Sequence, residues 1–153
     1  MRAFCARMGA TVPQRKALVL KASRILLSEK PLPERLQAFL EALLEGPFPI
    51  RSGKLYLRKG EGLRLVAQLG GEAGGEEVAL SLEGGGRALG RLSLRLAPAA
   101  SLAPEDRLAL EEAAGILALA LLRERAERAE RVLRRAGECA TQAAGEGDLL
   151  HKV

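Results

Sequence analysis

The sequence predicts an α+β domain: an antiparallel sheet of about four to five strands, with N-terminal helices and a long C-terminal helix packed on one face. Three observations carry this prediction. Apolar residues recur at helical spacing as far as Leu44, the period drops to two between Lys54 and Leu96, and helical spacing returns after Pro104. The element order is therefore helix, helix, hairpin, hairpin, long helix. Neither an internal repeat nor a second domain is visible. The expected organisation is a flexible lead-in over 1–12, one domain over 13–122, a helical coiled-coil extension over 123–136 and a disordered tail over 137–153.

The first helix is expected from about Gln14 to Ser28, with Pro13 well suited to its first turn. Leu18, Val19, Ala22, Ile25 and Leu26 form its apolar stripe, and Pro31 and Pro33 break it. A second helix starts at Pro33 or Glu34. Leu36, Phe39, Leu40, Leu43 and Leu44 give it the clearest amphipathic pattern in the chain, and Gly46-Pro47 stops it. Leu55 and Leu57 then alternate with Lys54, Tyr56 and Arg58. After the turn Lys59–Gly62, the residues Leu63, Leu65, Ala67 and Leu69 alternate with Arg64, Val66 and Gln68. These two runs read as a hairpin. A second hairpin pairs Val78, Leu80 and Leu82 with Gly90, Leu92, Leu94 and Leu96 across the turn Gly84–Gly86. One face of such a sheet is apolar and the other wet. Pro104 opens the last helix, and Glu105 and Asp106 complement its dipole. Leu108 to Leu122 is apolar nearly all round and is expected to be buried on more than one side. Gly137 is expected to end the helix.

The 153 residues are 48% hydrophobic but only 3% aromatic, with no Trp, so the core rests on Leu, Ala, Val and Ile. Few aromatics leave few platforms on which bases could stack, which argues against single-strand nucleic-acid binding. The net charge of +5 is concentrated at the start, where Arg2, Arg7, Arg15, Lys16, Lys21, Arg24 and Lys30 face Glu29 alone. Many charges with only two Met and two Cys give a thermophile-like composition. Cys5, Cys139 and the single His151 lie near the ends, with no spacing for a disulfide framework, a metal site or a catalytic triad. Gly84–Gly86 and Gly70-Gly71 lack phosphate-loop spacing and read as turns. No cofactor, metal or catalytic residue is expected. With no signal peptide or membrane span in the sequence, a cytoplasmic location is the default.

The stretch Arg87-Ala88-Leu89-Gly90-Arg91-Leu92-Ser93-Leu94, followed by Leu102-Ala103-Pro104-Glu105-Asp106, resembles the GAF domain family. That resemblance spans Lys16 to about Leu122. It implies a sheet with the terminal helices on one face, dimerisation through those helices, and a signal passed along the final one. The sequence departs from the family pattern in two places. Ala103 stands where a capping Ser is usual, at a cost of about 1 kcal/mol. Only Gly70–Glu76 separates the two hairpins, where family members place further elements that roof a ligand pocket. The resemblance therefore implies a pocket that is reduced or absent. The few GAF relatives that act as reductases need several cysteines near the pocket, and this sequence has none there.

Leu119, Leu122, Ala126, Ala129, Leu133 and Ala136 recur at steps of three and four, a short coiled-coil seam. The dimer interface is accordingly expected at Leu18, Ala22, Ile25, Leu119, Leu122, Ala126, Ala129 and Leu133. Arg64, Arg91 and Arg95 are expected to share the open sheet face, facing an acidic partner or an anionic ligand. The functional reading is a regulatory homodimer, not an enzyme, that acts on a separate signalling protein. Two alternatives are a nucleic-acid-binding accessory protein using the basic first helix, and a small-ligand sensor.

Overall fold

The structure, a computed structural model, describes residues 10–71 and 74–152, with side chains through Cys139. Helix α1 (Val12–Leu26) and helix α2 (Leu32–Glu45) are followed by strands β1 (Ile50–Lys59), β2 (Gly62–Leu69), β3 (Glu77–Gly84) and β4 (Arg87–Leu96). Helix α3 runs from Pro104 to Lys152. The four strands form one antiparallel sheet in the order β2-β1-β4-β3, and the helices pack on one of its faces. Two compact units divide the chain, residues 1–120 and 121–153.

In the first unit, α1 packs on α2, and α2 packs on β1 and β2. Leu18, Ala22 and Leu26 of α1 are buried, as are Leu36, Phe39, Leu40, Ala42 and Leu43 of α2. The sheet supplies Leu55, Leu80, Leu82, Leu92, Leu94 and Leu96 to the same core, and α3 supplies Leu110, Ala113 and Leu117. Burying each Leu fully stabilises the fold by roughly 1.5–3 kcal/mol. The expectation that the first part of α3 is buried on several sides does not hold. Leu108 and Leu119 are 64% and 68% exposed, because Ala109, Leu110, Ala113, Ala114 and Leu117 already satisfy the single core-facing stripe.

Residues 10–12, expected to be part of a flexible lead-in, are tied down; residues 1–9 lie outside the described residues. Thr11 caps α1 in a reciprocal box: its Oγ1 accepts from the Gln14 amide at 3.3 Å, and Gln14 Oε1 accepts from the Thr11 amide at 2.8 Å. Ala10 is buried, and its amide donates to both carboxylate oxygens of Asp106 at 3.2 Å. Arg15 reaches the same carboxylate at 3.4 Å and also donates to the Ala10 carbonyl. Asp106, read from sequence as a dipole-complementing surface charge, is thus 1% exposed and joins the start of α1 to the start of α3. The helix does begin with an uncapped Ala103, whose carbonyl accepts the first helical bond from Arg107.

The second hairpin turns on Gly85-Gly86, both at positive φ (61° and 75°), as a tight two-residue loop requires. Gly90 is needed for a different reason. A Cβ there would run into the Tyr56 carbonyl oxygen where β4 meets β1. Three register shifts interrupt the pairing, at Arg51 in β1, Val66 in β2 and Leu89 in β4. Each is a one-residue bulge that bends and twists its strand.

In the second unit the backbone stays helical through Gly137 to Lys152, where a disordered tail was expected. Gly137, Gly145 and Gly147 each cost a helix only about 1 kcal/mol relative to Ala, and no proline follows to stop it. Arg123–Glu127 and Arg128–Glu124 pair one turn apart on its surface.

Two substitutions test this account by chemical denaturation. Asp106→Ala strands the buried Ala10 amide, and a loss of roughly 1–3 kcal/mol is expected, with Asp106→Asn losing less. Gly90→Ala is expected to lose roughly 1–3 kcal/mol through forced displacement of the β1–β4 pair. Wild-type stability in either variant would contradict the geometry described.

Candidate functional site

Exposure and organised chemistry combine in two places: on the sheet face away from the helices in the first unit, and among exposed apolar residues of the terminal helices. The sheet face follows from the register. Lys54 lies opposite Ser93 and Gln68, and Tyr56 lies opposite Arg91 and Leu65. Arg95 lies opposite Ser52 and Glu77. Strict alternation then places Lys54, Tyr56, Arg91, Ser93, Arg95 and Glu77 on one side, opposite the buried Leu55, Leu92 and Leu94.

Arg91 and Arg95 occupy this face as expected, but Arg64 does not. The bulge at Val66 shifts the register by one residue, so Arg64 pairs with Leu57 on the helix-covered side. The same shift turns Leu63 and Leu65 outward, opposite Arg58 and Tyr56, where they are 53% and 43% exposed. Simple alternation predicted Leu63, Leu65, Ala67 and Leu69 on a single face. Only Ala67, opposite Leu55, and Leu69, opposite Gly53, stay on the core side.

Glu77 organises the far corner. Its carboxylate accepts a hydrogen bond from Ser93 Oγ at 2.5 Å and lies 3.6 Å and 3.8 Å from Arg95 and Arg91. Arg95 also donates to the Gly75 carbonyl, tying the connection between the hairpins to β4. No helix occurs among the described residues of that connection. Beside it a cleft of about 520 Å3 opens, lined by Ser52, Lys54, Gln68, Arg95 and the backbone of Gly70-Gly71. Its volume falls within the range of small-ligand sites. The cleft is open-sided, with polar and apolar atoms both in its lining. Lys54, Ser52, Ser93 and Glu77 were not singled out from sequence, since their convergence depends on the pairing of β1, β4 and β3.

On the helical side the expected interface residues separate. Leu18 and Ala22 are 4% and 0% exposed within the chain itself, because α1 turns them onto α2 and the core. They are not available to a partner. Ile25 and Leu122 are half-buried, whereas Leu119, Ala126, Ala129 and Leu133 are exposed. Three residues missed in the sequence join the exposed set: Val12, Leu20 and Leu108, at 52%, 59% and 64%. They border a groove of about 500 Å3 between α1 and α3, rimmed by Lys16 on one side and Glu105 and Glu112 on the other. Cys139 is free and exposed on α3, and Cys5 lies outside the described residues. No helix among the described residues is long and apolar enough to cross a membrane.

The Ser93 hydroxyl holds the Glu77 carboxyl below its ordinary value of 4.5; slight burial opposes this, and Arg95, Arg91 and Lys54 reinforce it. A depressed folded value means that the network's contribution to stability is present above the ordinary value. It is lost as pH falls through the folded one. An NMR titration of the Glu77 side chain is expected to give a midpoint below 4.5, moving upward in Ser93→Ala. An identical midpoint in both proteins would show that the hydroxyl plays no part.

No family model matches the chain, and neither does any curated protein. Solved structures do match. The GAF domain of a phosphoenolpyruvate-protein phosphotransferase from Acinetobacter is 10% identical with a TM-score of 0.66, over 76% of this chain and 97% of that one. Free methionine-R-sulfoxide reductase from Neisseria meningitidis, in complex with its substrate, is 18% identical with a TM-score of 0.65, over 77% and 95%. The GAF domain assigned to a sensor histidine kinase from Pseudomonas syringae pv. tomato is 19% identical with a TM-score of 0.63, over 76% and 93%. At such identities the likeness is one of architecture, and the architecture is plain: this chain has a GAF-like fold.

Proposed function

We propose that this chain is a regulatory module that dimerises through α1 and α3 and acts on a separate protein. The observation that carries the reading is the unpartnered apolar surface on the terminal helices. Leu108, Leu119 and Leu133 are each more than 60% exposed. Their heptad series runs through positions 108, 112, 115 and 119 in the first unit and 122, 126, 129 and 133 in the second, all within α3. Gly115, in that series, leaves open space where a second helix could approach closely. Exposed leucines at this density mark an interaction surface in soluble proteins. Lys16 opposite Glu105 and Glu112 makes the α1–α3 groove self-complementary under a two-fold axis, basic rim to acidic rim. A shift of one helix pair against the other would then travel along α3. The similarity to a GAF domain assigned to a sensor kinase supports a regulatory role.

Fold neighbours that reduce methionine sulfoxide make an enzyme the second reading. Against it, among the described residues the cleft on the sheet is lined by Ser52, Lys54, Gln68 and Arg95 and by no thiol. Free methionine-R-sulfoxide supplied with dithiothreitol is expected to show no turnover above the buffer rate. Turnover abolished by Cys139→Ser or Cys5→Ser would move the enzyme reading ahead.

Native mass spectrometry and light scattering are expected to show a dimer at micromolar concentration. Leu119→Glu places a carboxylate at the centre of the seam and is expected to raise the dissociation constant by about 30-fold or more, since a central anchor is typically worth at least ~2 kcal/mol. A wild-type monomer, or a dimer indifferent to Leu119→Glu, would refute the interface.

A further inference from the structure

The open face of the sheet is not a plain solvated surface. Tyr56, Leu63 and Leu65 gather on it because the Val66 bulge inverts the alternation of β2. On an unbulged strand the same leucines would point into the core side. Around this apolar patch stand Lys54, Arg58 and Arg91, and the face as a whole carries Lys54, Arg58, Arg91 and Arg95 against Glu77 and Glu83. Glu77 pairs with both Arg95 and Arg91, and four cations against two carboxylates still leave this face with a net positive charge. The arrangement is amphipathic in two dimensions: leucine on the β2 side, tyrosine in the middle, guanidinium on the β4 side.

We propose that this face docks an acidic amphipathic helix of a partner protein. The row Leu65–Tyr56–Arg91 crosses three strands and spans about 10 Å at the usual strand spacing, which is the width of one helix. A helix laid along it sets its leucines on Leu63, Leu65 and Tyr56. Its flanking Asp and Glu residues meet Arg91, Lys54 and Arg58. An extended peptide fits less well, because the free edge of β2 is engaged by α2, whose Gln37 donates to the Gln68 carbonyl. The sheet would thus gain from a partner the helical cover that its short connection does not provide. The inference rests on the partner-binding half of the proposed function and not on dimerisation.

The test is selection of helix-forming peptides of about 16 residues from a displayed library against the full chain. Enriched sequences are expected to carry Leu or Phe at i, i+3 or i+4, and i+7, with Asp or Glu beside them. A synthesised winner is expected to gain helicity on binding and to lose affinity about tenfold or more with Leu65→Glu. It is expected to lose several-fold with Arg91→Glu, and to bind less tightly as salt rises. Leu63→Lys serves as a second probe of the patch. The Leu119→Glu variant separates the two readings: it is expected to bind the peptide normally even where dimerisation fails. Absence of enrichment, enrichment of basic or extended sequences, or winners indifferent to both Leu65→Glu and Leu63→Lys would overturn the proposal.

Discussion

A single buried carboxylate joins the two ends of the domain. Asp106 is the one charged side chain fully withdrawn from solvent among the described residues. Withdrawing a charge is tolerable only if partners replace its water, and the Ala10 amide and the Arg15 guanidinium do so. Its position in the first turn of α3 adds the favourable end of the helix dipole. The helices that begin and end the domain are therefore anchored at a common point, and the Thr11 capping box holds α1 in register with it.

The sheet is the second organising constraint. With all helices on one side, half of each strand's side chains must answer to the core and the other half are released. That freedom allows β1 and β4 to carry Lys54, Tyr56, Arg91 and Arg95 without loss of packing. The bulges then tune what each face presents. At Leu89 the extra residue is itself buried, so this irregularity serves the core. At Val66 it serves the surface.

Most of the architecture was legible in the sequence, because hydrophobic period is a strong signal wherever a segment answers to one core. The helical stripe of Leu36, Phe39, Leu40 and Leu43 and the alternation of Leu92, Leu94 and Leu96 are matched by their burial. What was not legible depended on neighbours distant in sequence. Nothing near Asp106 announces Ala10, ninety-six positions away. Arg64 was misplaced because a bulge is a property of two paired strands, and β2 alone reads as regular. Leu18 and Ala22 fit a stripe equally suited to a core or an interface, and the packing of α2 decides between them. The Thr11-x-x-Gln14 spacing could have fixed the start of α1, since it is a local signal.

The Val66 bulge gives the strand an unusual economy. Changing the chemistry of a sheet face ordinarily takes several coordinated substitutions, one for each exposed position. Here a change of pairing alone would do it: a slip that absorbs Val66 into regular alternation would rotate Leu63, Arg64 and Leu65 together, exchanging a leucine-bearing surface for an arginine-bearing one with composition untouched. The character of this face is written in the register of the strand as much as in its letters.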